Sequence, residues 1–246
     1  MKYEEENLDQ EQNNNTNEKE DEDDENEDNI ISKIEKLNDF DKNHNYLFRF
    51  CLLGNAGVGK TSLITRFCDD AFKENYNNTI GVDFRVVTLK YKDIISKIHI
   101  WDTAGQERFR SLALNYINNS HGFAFIYDVT DQQTFDDINS WISLALDKNK
   151  KSIFNFLIGN KCDNEKQRQV AKEQGEKLAK QNNFYFMETS AKNDENVKKL
   201  FNYFTYKLIQ YYKENKYEEP EKIELTSSNG EELATVRPSQ SNCACY

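Results

Sequence analysis

The eight residues Gly54-Asn-Ala-Gly-Val-Gly-Lys-Thr61 constrain this chain more than any other stretch. They match the phosphate-binding spacing G-x₄-G-K-[ST]. An apolar run, Tyr46–Leu53, precedes them and reads as a buried strand; the segment from Lys60 to about Cys68 reads as a helix. Glycines let the backbone turn tightly and aim its N–H groups at anionic oxygens, and the positive end of the following helix adds to the pull. Lys60 supplies a mobile cation to the β and γ phosphates, and Thr61 a hydroxyl to Mg²⁺. The expected nucleotide site is therefore built on Gly54, Asn55, Ala56, Gly57, Val58, Gly59, Lys60, Thr61 and Ser62.

The rest of the pattern predicts where that loop sits. Phe84–Tyr91 and Ile95–Trp101 read as a hairpin turning at Lys92-Asp93. Gly122–Asp128 and Ser152–Gly159 are near-continuous apolar runs, as expected of strands covered on both faces. Phe135, Ile138, Trp141, Ile142 and Ala145 mark one helix face, Phe184–Met187 a short strand, and Val197, Leu200, Phe201, Phe204 and Leu208 a last helix. Strands alternating with helices predict an α/β fold: a doubly wound, six-stranded, mostly parallel sheet with helices on both faces and one antiparallel member. Ligands of such sheets bind at loops beyond the strands' C-terminal ends.

Two further motifs fall at such ends. Asn160-Lys-Cys-Asp163 follows the strand that ends at Gly159. A carboxylate only accepts hydrogen bonds, so Asp163 suits the N1–H and exocyclic amine of guanine and repels adenine's lone pair. Leaving such an acceptor unpaired costs roughly 1–3 kcal/mol, which makes the choice of base sharp. Trp101-Asp-Thr-Ala-Gly-Gln-Glu-Arg-Phe109 follows the other strand. There Asp102 is placed to hold Mg²⁺ through water, Gly105 to bring a backbone N–H to the γ-phosphate, and Gln106 to orient an attacking water.

Charge divides the chain. Residues 1–45 hold 17 acidic and 5 basic side chains, whereas the remainder is close to neutral. A block of like charge stays solvated, so 1–45 reads as a disordered leader, with at most a short helix from Ile30 to Leu37. Its polar start does not suit a signal peptide, no apolar run reaches the roughly 20 residues of a membrane span, and the chain is expected in the cytosol. Residues 213–246 read as a flexible tail. His44, His99 and His121 lack metal-ligand spacing, and Cys51, Cys68 and Cys162 read as small core or loop residues.

Together, Gly54–Thr61, Asp102–Gln106, Asn160–Asp163 and Glu188-Thr-Ser-Ala-Lys192 resemble the motif set of Ras-superfamily small GTPases, over about residues 46–212. Ile80-Gly-Val-Asp-Phe84, the Trp of Trp101-Asp-Thr and Glu107-Arg-Phe-Arg110 resemble Rab signatures. The resemblance implies a P-loop small G domain that hydrolyses GTP to GDP, with Gln106 and Lys60 catalytic and Thr61, Thr79 and Asp102 holding Mg²⁺. It also implies that Phe72 packs edge-on against guanine and that Ala191, in the Ser190-Ala-Lys192 turn, offers its N–H to the base carbonyl. Lys161 and Lys192 would lay their stems along the base. Implied partners are an exchange factor, a GAP, a GDP-dissociation inhibitor or escort protein, and GTP-state effectors. The chain is expected to be a monomer with no nucleic-acid partner, cycling between cytosol and the cytoplasmic face of intracellular membranes. Cys243-Ala-Cys245-Tyr246 fits either a C-a-a-X box with one lipid on Cys243 or a Rab-like pair with lipid on both cysteines. Stable anchoring takes two signals and the tail carries a net charge of −3, which favours two lipids. A Ras-like signalling GTPase and a GTP-locked adaptor that does not hydrolyse are the alternative readings.

Overall fold

Period-two alternation sorts the buried side chains onto the two faces of one sheet. In the computed structural model, which describes residues 26–37, 43–74, 82–103 and 116–215, the strands are β1 (Glu35–Leu37), β2 (Tyr46–Leu53), β3 (Val82–Tyr91), β4 (Ile94–Thr103), β5 (Gly122–Asp128), β6 (Phe154–Asn160) and β7 (Tyr185–Thr189). The helices are α1 (Glu27–Ser32), α2 (Lys60–Asp69), α3 (Gln132–Asp136), α4 (Ile138–Lys148), α5 (Lys172–Asn182) and α6 (Val197–Glu214). Phe48, Phe50 and Leu52 of β2, Ala124 and Ile126 of β5, and Phe156 and Ile158 of β6 face α2 and α6, where Phe67, Phe201 and Phe204 complete one core. Cys51, Leu53, Phe123, Phe125, Tyr127 and Leu157 face the other way, against Trp141, Ile142 and Ala145 of α4 and Ala179 of α5. Phe50 stacks on Phe204 at 3.9 Å between centroids, and Phe67 on Phe201 at 4.2 Å.

The sheet runs in the order β1-β3-β4-β2-β5-β6-β7. From β4 to β7 every neighbour is parallel, and β3 is antiparallel to β4. Parallel strands put their C-terminal ends at one edge of the sheet, which gathers the loops that follow β2, β4, β6 and β7.

Several expectations need correction. The sheet has seven strands rather than six, because β1 pairs antiparallel with β3, Glu35 opposite Lys90 and Leu37 opposite Thr88. That strand lies in the stretch read as solvated leader, and the helix there is Glu27–Ser32 rather than Ile30 to Leu37. Ile30, Ile31 and Ile34 are buried, and Ile30 and Ile34 join the core beneath α6. Around them Asp28 pairs with Lys199 at 2.6 Å, Tyr203 donates to the Glu27 carboxylate at 2.9 Å, and Asn202 Nδ2 donates to the Ile31 carbonyl at 3.2 Å. Lys207 also pairs with Glu27 and holds its carboxyl below the usual range. Lys36 donates to the carbonyls of Phe67 and Cys68, in the last turn of α2. Residues 26–37 thus form a strap from α6 to the edge of the sheet. Three isoleucines inside an acidic run, followed by a three-residue strand, are too short a pattern to show a period.

The expected single helix over Phe135–Ala145 is two, broken at Asp137, which ends α3 and begins α4. α5 carries few apolar residues and buries only Gly175 and Ala179, so its amphipathic signal is weak. His121 is structural: its Nδ1 accepts the Arg49 N–H at 2.9 Å, and burial, with Arg49 nearby, pushes its pKa down to about 4. Burial also lowers that of His99, and pushes the Cys51 thiol up.

Ile34→Ala is expected to lower stability by about 2 kcal/mol in denaturant unfolding of the nucleotide-loaded chain, because it deletes buried methyl groups under α6. A change within error would mean that the strap does not pack in solution. The His121 ring proton signals should stay in the neutral form down to well below pH 6, since protonation would break the bond from Arg49. Stability from this group is complete above the ordinary histidine pKa and is lost as the pH falls toward about 4.

Candidate functional site

The loop between β2 and α2 must place its backbone against two other segments, and Gly54 and Gly59 sit where no Cβ fits. A Cβ on Gly59, at φ +99°, would lie 2.3 Å from Asn160 Nδ2; one on Gly54 would lie 2.2 Å from the Ile126 carbonyl oxygen. Asn160 is almost fully buried at the end of β6. Its Nδ2 donates to the Val58 carbonyl at 2.8 Å, and its Oδ1 accepts from Thr189 Oγ1 at 3.1 Å. One amide therefore joins the phosphate-type loop to the ends of β6 and β7.

Inside the loop, Lys60 is buried and its Nζ donates to the carbonyls of Gly54 and Asn55, each at 2.8 Å. Burial pushes its pKa down to about 8, opposed by the charge of Asp102. An anion arriving here would restore the charged form. Asn55 is held between Asp137, at 2.7 Å, and the Trp141 indole N–H, at 2.8 Å. Ala56 is exposed at the turn, whereas Val58 is buried in the core. Thr61 Oγ1 donates to Asp102 Oδ2 at 2.6 Å. Burial raises the Asp102 carboxyl, and its Oδ1 is buried with no partner among the described residues.

At the other end, Ser190 Oγ donates to Asp163 Oδ1 at 2.6 Å and accepts from the Asn193 N–H at 3.0 Å. Lys161, at φ 67°, pairs with the buried Asp128 at 2.5 Å. Lys192 reaches Glu74 at 3.9 Å. A cavity of about 280 Å³ opens between these groups. Gly57, Gly59, Ser62 and Phe72 line one side, and Asn160, Lys161, Asp163, Ala191 and Lys192 the other. Phe72 also packs against the core. Thr79, Gly105 and Gln106 lie outside the described residues, as do Cys243 and Cys245. The cavity carries a carboxylate beside two lysines and is bordered by Gly57 and Gly59 of the glycine loop that precedes the buried Lys60, an arrangement that suits a polyphosphate joined to a planar base.

The family model of the Ras family matches residues 49–210. Ras-related protein Rab-13 of Mesocricetus auratus is 42% identical over 161 residues, which is 65% of this chain and 79% of the relative. Ras-related protein Rab-8B of Homo sapiens is 43% identical over 160 residues, 65% of this chain and 77% of its own. Ras-related protein Rab-8 of Diplobatis ommata is 43% identical over the same length, 76% of its own. This chain is a Rab-family small GTPase. As such it binds GTP and GDP, hydrolyses GTP to GDP, and acts as a Rab-like switch in vesicle traffic.

Three residues of this Rab-family site were not legible from the sequence. Asp128 is the partner of Lys161. Arg168 grips both oxygens of Glu188, at 2.6 and 3.1 Å, and shapes the loop after Asp163. Arg66 of α2 donates to the carbonyls of Ala191 and Lys192. Each contact spans a long stretch of chain or an ordinary polar turn, and none has a spacing signal.

Asn160→Ala is expected to weaken GDP binding on the order of 100-fold, because it leaves the Val58 carbonyl and Thr189 hydroxyl without their partner. Competition binding measures it. A loss below threefold would show that the loops hold together without the amide.

Proposed function

We propose that the guanine nucleotide lies along this cavity and that each motif residue acts as its chemistry suggests. The N–H groups of Gly54–Thr61 and the Lys60 ammonium hold the phosphates. Asp163 takes the N1–H and exocyclic amine of guanine, the Ala191 N–H meets the base carbonyl, and the stems of Lys161 and Lys192 flank the ring, with Phe72 edge-on. The observation that carries this reading is that Gly59, Phe72, Asn160, Asp163 and Ala191, from separate loops, line one cavity.

Thr61 and Asp102 fit Mg²⁺: a buried carboxylate oxygen without a partner lies beside a hydroxyl on the carboxylate's other oxygen, a set of hard oxygen donors. With Thr79 they would hold the ion, which when bound neutralises charge on the β and γ phosphates. Gln106 orients a water in line with the γ-phosphate, and Lys60 stabilises charge as the bond to the β-phosphate oxygen breaks. Thr79 and Gly105 carry the contacts that differ between GTP and GDP, so effectors distinguish the two states there.

An exchange factor, a GAP, and a GDP-dissociation inhibitor or escort protein complete the cycle. No helix of the described residues is long and apolar enough to cross a membrane. Anchoring instead falls to lipids on Cys243 and Cys245, because the acidic tail lacks the basic patch that a single lipid needs. The protein then works on the cytoplasmic face of intracellular membranes, with the strap of residues 26–37 part of the G domain and the residues before it and after α6 as its flanking segments.

Asp163→Asn is expected to weaken GTP and favour xanthosine triphosphate, since an amide donates where xanthine offers a carbonyl. Competition between the two nucleotides measures this, and an unchanged preference would remove Asp163 as the reader of the base. Intact-mass spectrometry of the protein from its own cells should show two prenyl groups. One prenyl group with Ala244–Tyr246 missing would overturn the double anchor.

A further inference from the structure

Arg66 lies in the last turn of α2, the helix that begins at the phosphate loop, yet its guanidinium reaches the loop after β7. Its Nε–H donates to the Ala191 carbonyl at 2.8 Å and its Nη2–H to the Lys192 carbonyl at 3.1 Å. Its Nη1–H donates to the Asp70 carbonyl at 3.0 Å, and the side chain is only 14% exposed. One rigid fork thus holds two consecutive peptide planes on the C-terminal side of Ala191. The other side is held as well: Ser190 Oγ bonds Asp163, and the Ser190 backbone pairs with Glu195 in both directions at 3.0 Å. With both flanks fixed, the Ala191 N–H cannot swing.

We infer that Arg66 is a positioning residue for guanine recognition, holding the Ala191 N–H in the direction from which it meets the base carbonyl oxygen. The inference rests on the reading above that Ala191 makes that contact. It accounts for a largely buried arginine whose donors go mainly to backbone carbonyls, its carboxylate partner being the exposed Asp70 at 3.5 Å. It also couples the two ends of the ligand, since the helix that starts at the phosphates ends by gripping the loop at the base. A lysine here would offer a point charge on a flexible stem and could not grip two planes at once. If Arg66 only fastened α2 to its neighbour, its loss would weaken every nucleotide equally.

The test compares GDP with 6-thio-GDP, in which sulfur, a weak acceptor, replaces only the oxygen that Ala191 meets. Affinities are measured by competition on the full chain and on Arg66→Met and Arg66→Lys, with thermal unfolding of each loaded variant. The wild type is expected to prefer GDP about tenfold. In Arg66→Met the preference should fall to about threefold or less, with Arg66→Lys in between, giving a non-additive cycle between side chain and ligand atom. Equal wild-type affinity for the two nucleotides would overturn the Ala191 reading and the inference with it. A wild-type preference kept in full by both variants would leave Ala191 as the reader and overturn the role of Arg66. Should Arg66→Met fail to fold, Arg66→Lys carries the same comparison.

Discussion

The side-chain amide of Asn160 is the interaction on which the site depends. It is buried, its nitrogen is spent on the Val58 carbonyl and its oxygen on the Thr189 hydroxyl, and Gly59 has no Cβ because the same amide occupies the space. A buried amide with both ends satisfied is rigid, and one with an end unsatisfied is costly. The phosphate loop and the base loop, more than a hundred residues apart in sequence, are therefore set at a fixed separation by the amide that opens the base motif at the end of β6. The motif asparagine acts as a spacer, and the aspartate three residues on does the reading.

Around that spacer the structure adds braces. Trp141 and Asp137 hold Asn55 from the α4 side of the sheet, Arg66 ties α2 to the base loop, and Lys36 of the strap reaches the same end of α2. A nucleotide site on loops works when rigid elements fix those loops. Here the fixing groups are side chains: Asp137 and Trp141 hold the Asn55 amide, Arg66 two loop carbonyls, and Lys36 of the strap the carbonyls in the last turn of α2. The acidic leader joins the fold at this level: the part of it that carries isoleucines packs beneath α6, while charge pairs at the rim set its register.

Much of this was legible in the sequence because the strongest signals are local. β2, the phosphate-type loop and α2 follow one another within a single stretch, and apolar runs such as Gly122–Asp128 coincide with the strands they predict. What was not legible is non-local or too short. Glu35-Lys-Leu37 has no period of its own and becomes a strand only because β3 offers an open edge. Helix α5 is polar and faces solvent over most of its surface, so it lacks the stripe that marked α6. Arg66, Arg168 and Asp128 look like ordinary charged residues until the fold brings their partners within 3 Å.

The account's central claim is that these loops form a hydrolytic guanine-nucleotide switch, and single-turnover phosphate release tests it most directly. The chain is loaded with GTP, freed of excess nucleotide, and started with Mg²⁺ in the absence of any GAP. A slow first-order release is expected, on the order of 10⁻⁴ s⁻¹ as for an unassisted Ras-type enzyme. An ATP-treated sample should release nothing above the buffer. Phosphate release no faster than buffer from GTP-loaded protein, or equal turnover of ATP, would contradict the account.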